Sequence, residues 1–206
     1  MGIVYVLTNE AMPGLIKIGL TDAAVEQRML SLDNTSVPVP FECYYAAEVA
    51  DAAAVEKALH TALGDHRVRK SREFFQLDAF RAKAFLELLA VNDVTPRDEV
   101  FESPDDEEAI QRVQSKRPQF RFSAAGIPAG SVLTFVRNPE ETAVVIDDRK
   151  ILFRGDEHSL TSAAEILMRE LGYRWSTLQG TKFWLFEDQT LVERRDEIEA
   201  SIIAED

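Results

Sequence analysis

The chain opens with two short apolar runs rich in β-branched residues, Ile3–Thr8 and Leu15–Leu20. The segment between them contains Pro13-Gly14, a dipeptide that is typical of turns. A third run, Phe41–Val49, is rich in aromatic and β-branched residues and follows a proline-marked loop. The pattern therefore predicts a β-hairpin and a third strand.

Apolar residues recur at helical spacing in three further segments of the first 91 residues. A short extended segment, Glu73–Leu77, precedes the last of them. The β-β-α-β-α order predicts an α+β fold. The three predicted helices run from Asp22 to about Leu32, from Asp51 to about Leu63, and from Ala79 to Leu89.

Residues 116–206 show a second set of alternating apolar and polar positions. Turn signals at Asn138-Pro139 and Asp147-Asp148 separate three β-rich runs, which predicts a β-meander accompanied by helices. The predicted strands are Ser131–Val136, Thr142–Asp147, Lys150–Arg154 and Lys182–Phe186, and the predicted helices begin at Ser159 and Thr190.

Residues 92–115 differ from both regions, because they hold 2 basic and 8 acidic residues, including the run Asp105-Asp106-Glu107-Glu108. Almost half of the net charge of −13 lies in this segment. The composition predicts an exposed acidic linker between a domain of residues 1–91 and a domain of residues 116–206. The alternative is that the segment mimics nucleic acid and covers a basic loop of the same chain.

The overall composition is that of a globular protein, with 46% hydrophobic residues and apolar runs far too short to span a membrane. Met1 leads directly into a strand-like run, so no signal peptide is expected. Cys43 is the single cysteine and cannot form an intramolecular disulfide, which makes a cytoplasmic location the expectation. The net negative charge disfavours tight non-specific binding to nucleic acid.

The candidate chemistry lies before residue 76, at Tyr5 in GIVYVL, Lys17 in IKIGLT, Arg28, His60 and Glu73 in REFF. A phenol, cations and a carboxylate suit phosphodiester hydrolysis. The phenol can move a proton, the cations can hold the phosphate, and the carboxylate can anchor a divalent metal. A basic loop precedes the carboxylate, and its cations are expected to contact the substrate: Arg67, Arg69, Lys70 and Arg72.

These residues and their spacing resemble the GIY-YIG nuclease superfamily, in particular a branch of small phage and bacterial domains whose second motif is KIG. The resemblance implies a small antiparallel sheet flanked by helices, which matches the β-β-α-β-α order. The resemblance implies that Tyr5 is a general base or a relay to the attacking water, and that Arg28 clamps the phosphate. It also implies that Glu73 holds Mg²⁺ or Mn²⁺ and that His60 belongs to the catalytic site. Lys17 takes the place of the second tyrosine, where an ammonium orients water or neutralises phosphate.

Several of these residues also have an ordinary structural interpretation. Tyr5 could simply pack in a central strand, and Gly19 could permit either close approach of backbone or substrate or a bend at a strand end. His60 follows Glu56 by four residues, a spacing that suits a metal half-site or, more commonly, a surface hydrogen bond. A lone carboxylate such as Glu73 suits Mg²⁺, because that ion keeps most of its waters.

The second half resembles the small domain associated with restriction enzymes and adenine methylases, part of which is linked to reading modified DNA. The segments that carry this resemblance are GIPAGSVLTF, the VIDDRKILFRG hairpin, SLTSAAEIL and LQGTKFWLF. Three aromatic residues there, Trp175, Phe183 and Trp184, are expected in the core, and stacking on an extruded base is the alternative.

The sequence thus predicts a metal-dependent endonuclease that acts on DNA, in defence against foreign or modified DNA, with the second domain directing it. A single active site nicks one strand, so double-strand cleavage would require a homodimer or repeated action. The alternatives are a non-catalytic DNA-binding or protein-interaction module that keeps the fold, and a nuclease that acts on RNA.

Overall fold

The computed structural model describes residues 1–205, which form an α+β structure with two antiparallel sheets. The chain divides into two compact units between Arg117 and Pro118. Within the described residues, no helix is both long and apolar enough to cross a membrane.

The first unit contains a five-stranded sheet of order β4-β2-β1-β3-β5, four α-helices and a short 3₁₀ turn over Gly64–His66. Its elements are β1 (Gly2–Thr8), β2 (Leu15–Thr21), α1 (Val25–Leu32), β3 (Glu42–Val49), α2 (Ala52–Ala62), β4 (Phe74–Gln76), α3 (Ala79–Glu87), β5 (Asn92–Asp93) and α4 (Pro104–Ser115).

Both faces of this sheet are covered, and each face has its own apolar cluster. Side chains of α2 and α3, such as Leu59 and Leu86, pack on one face against Val4 and Ile18. Val25 and Met29 of α1 pack on the other face, in the cluster that also contains Tyr5. The expected small antiparallel sheet flanked by helices is confirmed, with helices on both faces.

Two predicted helix starts have different outcomes. Asp51 caps α2 as predicted, because its carboxylate accepts a hydrogen bond from the Ala54 amide at 3.0 Å. The first helix begins at Val25 rather than just after Asp22. The hydroxyl of Thr21 accepts the Ala23 amide at 3.1 Å, which closes a local turn and delays the helix.

Residues 92–115, predicted as an exposed linker, form part of the first unit. β5 pairs with β3, and Val94 and Val100 pack against the apolar cluster on the α1 face. Ile110 of α4 is fully buried. The average composition of this segment predicts exposure to solvent. The apolar residues spaced among its charges are nevertheless packed or buried.

Arg117 fastens the end of this segment. Its Nη2 donates to the backbone oxygen of Glu10 at 3.0 Å, and its Nη1 lies 3.6 Å from the Glu10 carboxylate, which is buried. The boundary between the units therefore follows Arg117, two residues beyond the predicted end of the linker.

The second unit contains a six-stranded sheet of order β11-β10-β6-β7-β8-β9 and two α-helices. The β-meander with helices is confirmed. Its elements are β6 (Val132–Phe135), β7 (Asn138–Val145), β8 (Ile151–Phe153), β9 (Asp156–His158), α5 (Leu160–Glu170), β10 (Trp184–Phe186), β11 (Gln189–Thr190) and α6 (Leu191–Glu205), with a 3₁₀ turn over Gly180–Lys182.

The turn predicted at Asn138-Pro139 is wrong, because β7 already begins at Asn138. Proline is tolerated there because the β6–β7 register shifts next to Phe135. Phe183 and Trp184 are buried as predicted, and the Trp184 indole donates to the Leu160 carbonyl at 3.0 Å, which ties β10 to the start of α5.

Candidate active site

The strand β2 is the centre of the candidate site, because its two neighbours bring distant residues to it. In the β1–β2 pair, Tyr5 lies opposite Gly19. In the β2–β4 pair, Lys17 lies opposite Phe74, and the Ile18 amide donates to the Glu73 carbonyl at 3.1 Å. A phenol, an ammonium and a carboxylate are thereby gathered along three residues of one strand.

Gly19 makes room for the ring of Tyr5. A Cβ atom at this position would lie 2.5 Å from the Tyr5 hydroxyl and 2.8 Å from its Cζ. The side chain that approaches Gly19 is thus that of the candidate catalytic tyrosine itself. The sequence leaves open a strand-end bend or the close approach of backbone or substrate, and the structure adds the contact with the Tyr5 ring.

Arg28 extends from α1 to the phenol of Tyr5, and its Nε donates to the phenolic oxygen at 3.2 Å. Burial raises the pKa of Tyr5, Arg28 opposes the rise, and the carboxylates of Glu73 and Glu56 add to it. The same hydrogen bond raises the pKa of Arg28. Tyr5 therefore stays a neutral phenol that keeps its proton, and it is fully buried.

Lys17 and Glu73 form the second polar pair of the site, with Nζ 2.5 Å from Oε2. The lysine side chain is 8% exposed and the glutamate 40% exposed. Burial raises the pKa of Glu73, but the hydrogen bond and charge of Lys17, with the charges of His60 and Arg28, outweigh it and lower the pKa. Glu73 is therefore an anion at neutral pH with one side open to solvent.

His60 reaches β2 from α2. Its Nε2 lies 3.0 Å from the Ile18 carbonyl, and its ring centroid is 5.1 Å from that of Phe75. Since a carbonyl only accepts, Nε2 carries the proton and donates. His60 thus fixes the backbone between Lys17 and Gly19, which is a positioning contact within the predicted site.

Glu56, one helical turn before His60, is a site residue to which the sequence assigns no role beyond its spacing. Its charge is close enough to raise the pKa of Tyr5. Within the described residues, no group of three or more His, Cys, Asp or Glu side chains gathers as a metal site. A sparse carboxylate set of this kind fits Mg²⁺, which retains most of its waters.

The basic loop divides into one anchored cation and three exposed ones. Arg67 donates through Nε to the Arg72 carbonyl at 2.7 Å, and its guanidinium lies 5.6 Å from the centroid of the Phe75 ring. The side chains of Arg69, Lys70 and Arg72 are exposed. Since the loop leads directly into Glu73, these cations lie at the edge of the candidate site.

Comparison with known proteins identifies one domain, which covers the site just described. No curated protein and no solved structure matches the chain. The family model of the T5orf172 domain, a nuclease-like or DNA-binding domain compatible with a nuclease role, matches residues 2–90.

Proposed function

We propose that the first unit is a metal-dependent endonuclease domain of the GIY-YIG type that hydrolyses phosphodiester bonds of DNA. The observation that carries the proposal is the meeting of two polar pairs, Tyr5–Arg28 and Lys17–Glu73, along β2. The match of residues 2–90 to a nuclease-like domain supports it independently.

Arg28 is the phosphate clamp in this proposal. Tyr5 holds the Nε atom, so the plane of the guanidinium is fixed before a substrate arrives. A planar fork that is already oriented binds two phosphate oxygens with little further loss of side-chain freedom. Tyr5 is then both the support of this clamp and, as a neutral phenol, a relay for a proton.

Glu73 would hold Mg²⁺ or Mn²⁺, and Glu56, whose charge also acts on Tyr5, is the second carboxylate of the site. The bound ion would supply a Lewis acid for the phosphoryl oxygen and a nucleophilic water. Lys17 contributes the positive charge beside this carboxylate, and its ammonium can neutralise the charge that develops on the phosphate.

The basic loop is proposed to bind the phosphates that flank the cleaved bond. Each cation that contacts a phosphate releases counterions, so affinity falls steeply as salt rises. The net charge of −13 keeps this affinity modest at physiological salt. We propose that the second unit therefore directs the nuclease to its target, in defence against foreign or modified DNA. The resemblance of residues 116–206 to the small domain associated with restriction enzymes and adenine methylases supports this role.

The test is incubation of supercoiled plasmid with the protein and Mg²⁺ or Mn²⁺, beside the variant Glu73→Gln. Nicking by the wild type and its loss in the variant are expected, with both proteins assayed well below their melting temperatures so that both are folded. Glu87→Gln is the matched control, because Glu87 also pairs with a buried lysine, Lys83, but lies on α3. Absence of nicking on DNA by the wild type with both metals would contradict the proposal.

One observation favours a non-catalytic binding module as the competing function. The Tyr5 phenol is fully buried beneath Arg28, so it is not in contact with solvent. A domain that binds DNA without cleaving it would show metal-independent binding, with Arg28→Ala weakening the complex and Tyr5→Phe leaving it intact. A Tyr5→Phe variant that binds DNA but cleaves slowly would support the nuclease instead.

A further inference from the structure

Lys17 is a buried cation whose environment is dominated by one carboxylate. Its Nζ lies 2.5 Å from Glu73 Oε2 and 5.5 Å from the centroid of the Phe74 ring. A buried ammonium is costly unless it is paired and hydrogen-bonded. Glu73 is thus the counter-ion that permits Lys17 to be buried, while the glutamate itself keeps a solvent-facing side.

We propose that the Lys17 ammonium and a divalent cation compete for the Glu73 carboxylate, so that binding of the cation releases Lys17 toward the phosphate. This inference rests on the proposed function, because it takes Glu73 as the metal ligand. Lys17 stays paired with Glu73 until the cation binds, and only then becomes free to contact the phosphate.

The physical basis is that two cations close to one carboxylate repel each other. In the partly buried surroundings of Glu73 this repulsion is larger than in bulk water. Lys17 can yield because its backbone is fixed in β2 while its four-carbon stem is flexible.

Lys83 provides a matched comparison inside the same unit. Its side chain is 6% exposed, and its Nζ lies 2.6 Å from Glu87 Oε2, with the centroid of the Tyr45 ring 5.4 Å away. The two lysines therefore share burial, a glutamate partner and an aromatic neighbour. They differ in that only the Lys17 pair lies beside Tyr5, Arg28 and His60.

The first experiment measures Mn²⁺ affinity of the full chain from the electron paramagnetic resonance signal of the free ion. Lys17→Met is expected to bind Mn²⁺ more tightly by about tenfold, because it removes a competing charge. Lys83→Met is expected to leave the affinity unchanged, and Glu73→Gln to weaken it by at least about tenfold. Equal or weaker binding by Lys17→Met overturns the competition.

The second experiment needs no variant and follows both lysines of the wild type by amine acylation and mass spectrometry. Lys17 is expected to react several-fold faster when Mg²⁺ is present, while Lys83 reacts at the same rate with and without it. Unchanged labelling of Lys17 under conditions where Mn²⁺ and Mg²⁺ binding is measured overturns this inference alone. Absence of any metal binding that depends on Glu73 overturns it together with the proposed metal site.

Discussion

At the scale of single residues, the close contact between Gly19 and Tyr5 predicts that a larger residue at position 19 disturbs both stability and activity. Gly19→Ala places a methyl group 2.5 Å from the phenolic oxygen, so the ring and Arg28 with it must shift. We expect a loss of about 1–3 kcal/mol of unfolding free energy, as for overpacked cores, and loss of nicking. Urea denaturation and plasmid nicking measure the two effects.

Gly64→Ala is the control for that variant, because nothing lies within 4 Å of a Cβ atom built at Gly64. It should leave both stability and nicking close to wild type. A Gly19→Ala protein that matches the wild type in both assays would show that Tyr5 is free to move and does not need this glycine.

Tyr5→Phe isolates the hydroxyl from the ring. The ring still fills its buried position, but Arg28 Nε loses its acceptor and the site loses its phenolic proton. We expect metal-dependent cleavage to slow by about 10²–10⁴-fold, the usual contribution of a proton-transfer group. Single-turnover kinetics measure the rate, and binding to an oligonucleotide in EDTA shows whether the phosphate clamp survives.

The charge state of Glu73 has a consequence for stability against pH. Its pKa is lowered in the folded protein, so its contribution to stability is present above the ordinary carboxyl range and is lost as pH falls through that range and below it. Wild type and Glu73→Gln should therefore differ in melting temperature at neutral pH and converge in acid. If the difference in melting temperature persisted unchanged at acidic pH, its cause would be packing rather than the charge of Glu73.

At the scale of elements, the acidic helix α4 shows that a charged composition does not by itself mean exposure to solvent. Ile110 is fully buried within a helix that begins Pro104-Asp105-Asp106. The Asp106 carboxylate accepts from the amide of Ser103 at 2.8 Å, so this acidic start also caps the helix. The acidic run thus provides the cap at the start of α4, and Ile110 gives the helix a buried apolar position.

Ile110→Ala tests whether this helix is integral to the first unit. Removing a buried isoleucine side chain usually costs about 2–5 kcal/mol. We expect the first unit to lose stability on this scale in urea, whereas Gln111→Ala, at the exposed neighbouring position, should have little effect. A solvated linker would tolerate both substitutions equally.

The elements show which parts of the fold and site can be predicted from sequence. The positions of β1, β2, α2 and α5 follow from apolar spacing and from caps such as Asp51, which act locally. The ion pair between Lys17 and Glu73 joins residues 56 positions apart and depends on the β2–β4 register. Periodicity does not encode that pairing, so the family resemblance identifies both residues while only the fold shows that they meet.

At the scale of the whole molecule, the packing of residues 92–117 determines where the chain can be truncated without loss of the fold. Sequence predicts that residues 1–91 form a domain by themselves. In the structure, Val94 and Val100 pack on the cluster that contains Tyr5, and the Val94 amide donates to the Ala46 carbonyl at 2.9 Å. A cut after residue 91 would expose apolar surface next to the candidate catalytic tyrosine.

We therefore predict that residues 1–117 fold alone and retain metal-dependent nicking, whereas residues 1–91 melt at a lower temperature and cleave poorly. The reason is that the shorter fragment loses the pairing of β5 with β3, the packing of Val94 and Val100, and the Arg117–Glu10 contact. Thermal melts and nicking assays of both fragments at one salt concentration make the comparison. Equal stability and activity of the two fragments would mean that residues 92–117 contribute to neither the fold nor the activity of the first unit. Loss of activity in residues 1–117, with a melt like that of the full chain, would instead assign substrate capture to the second unit.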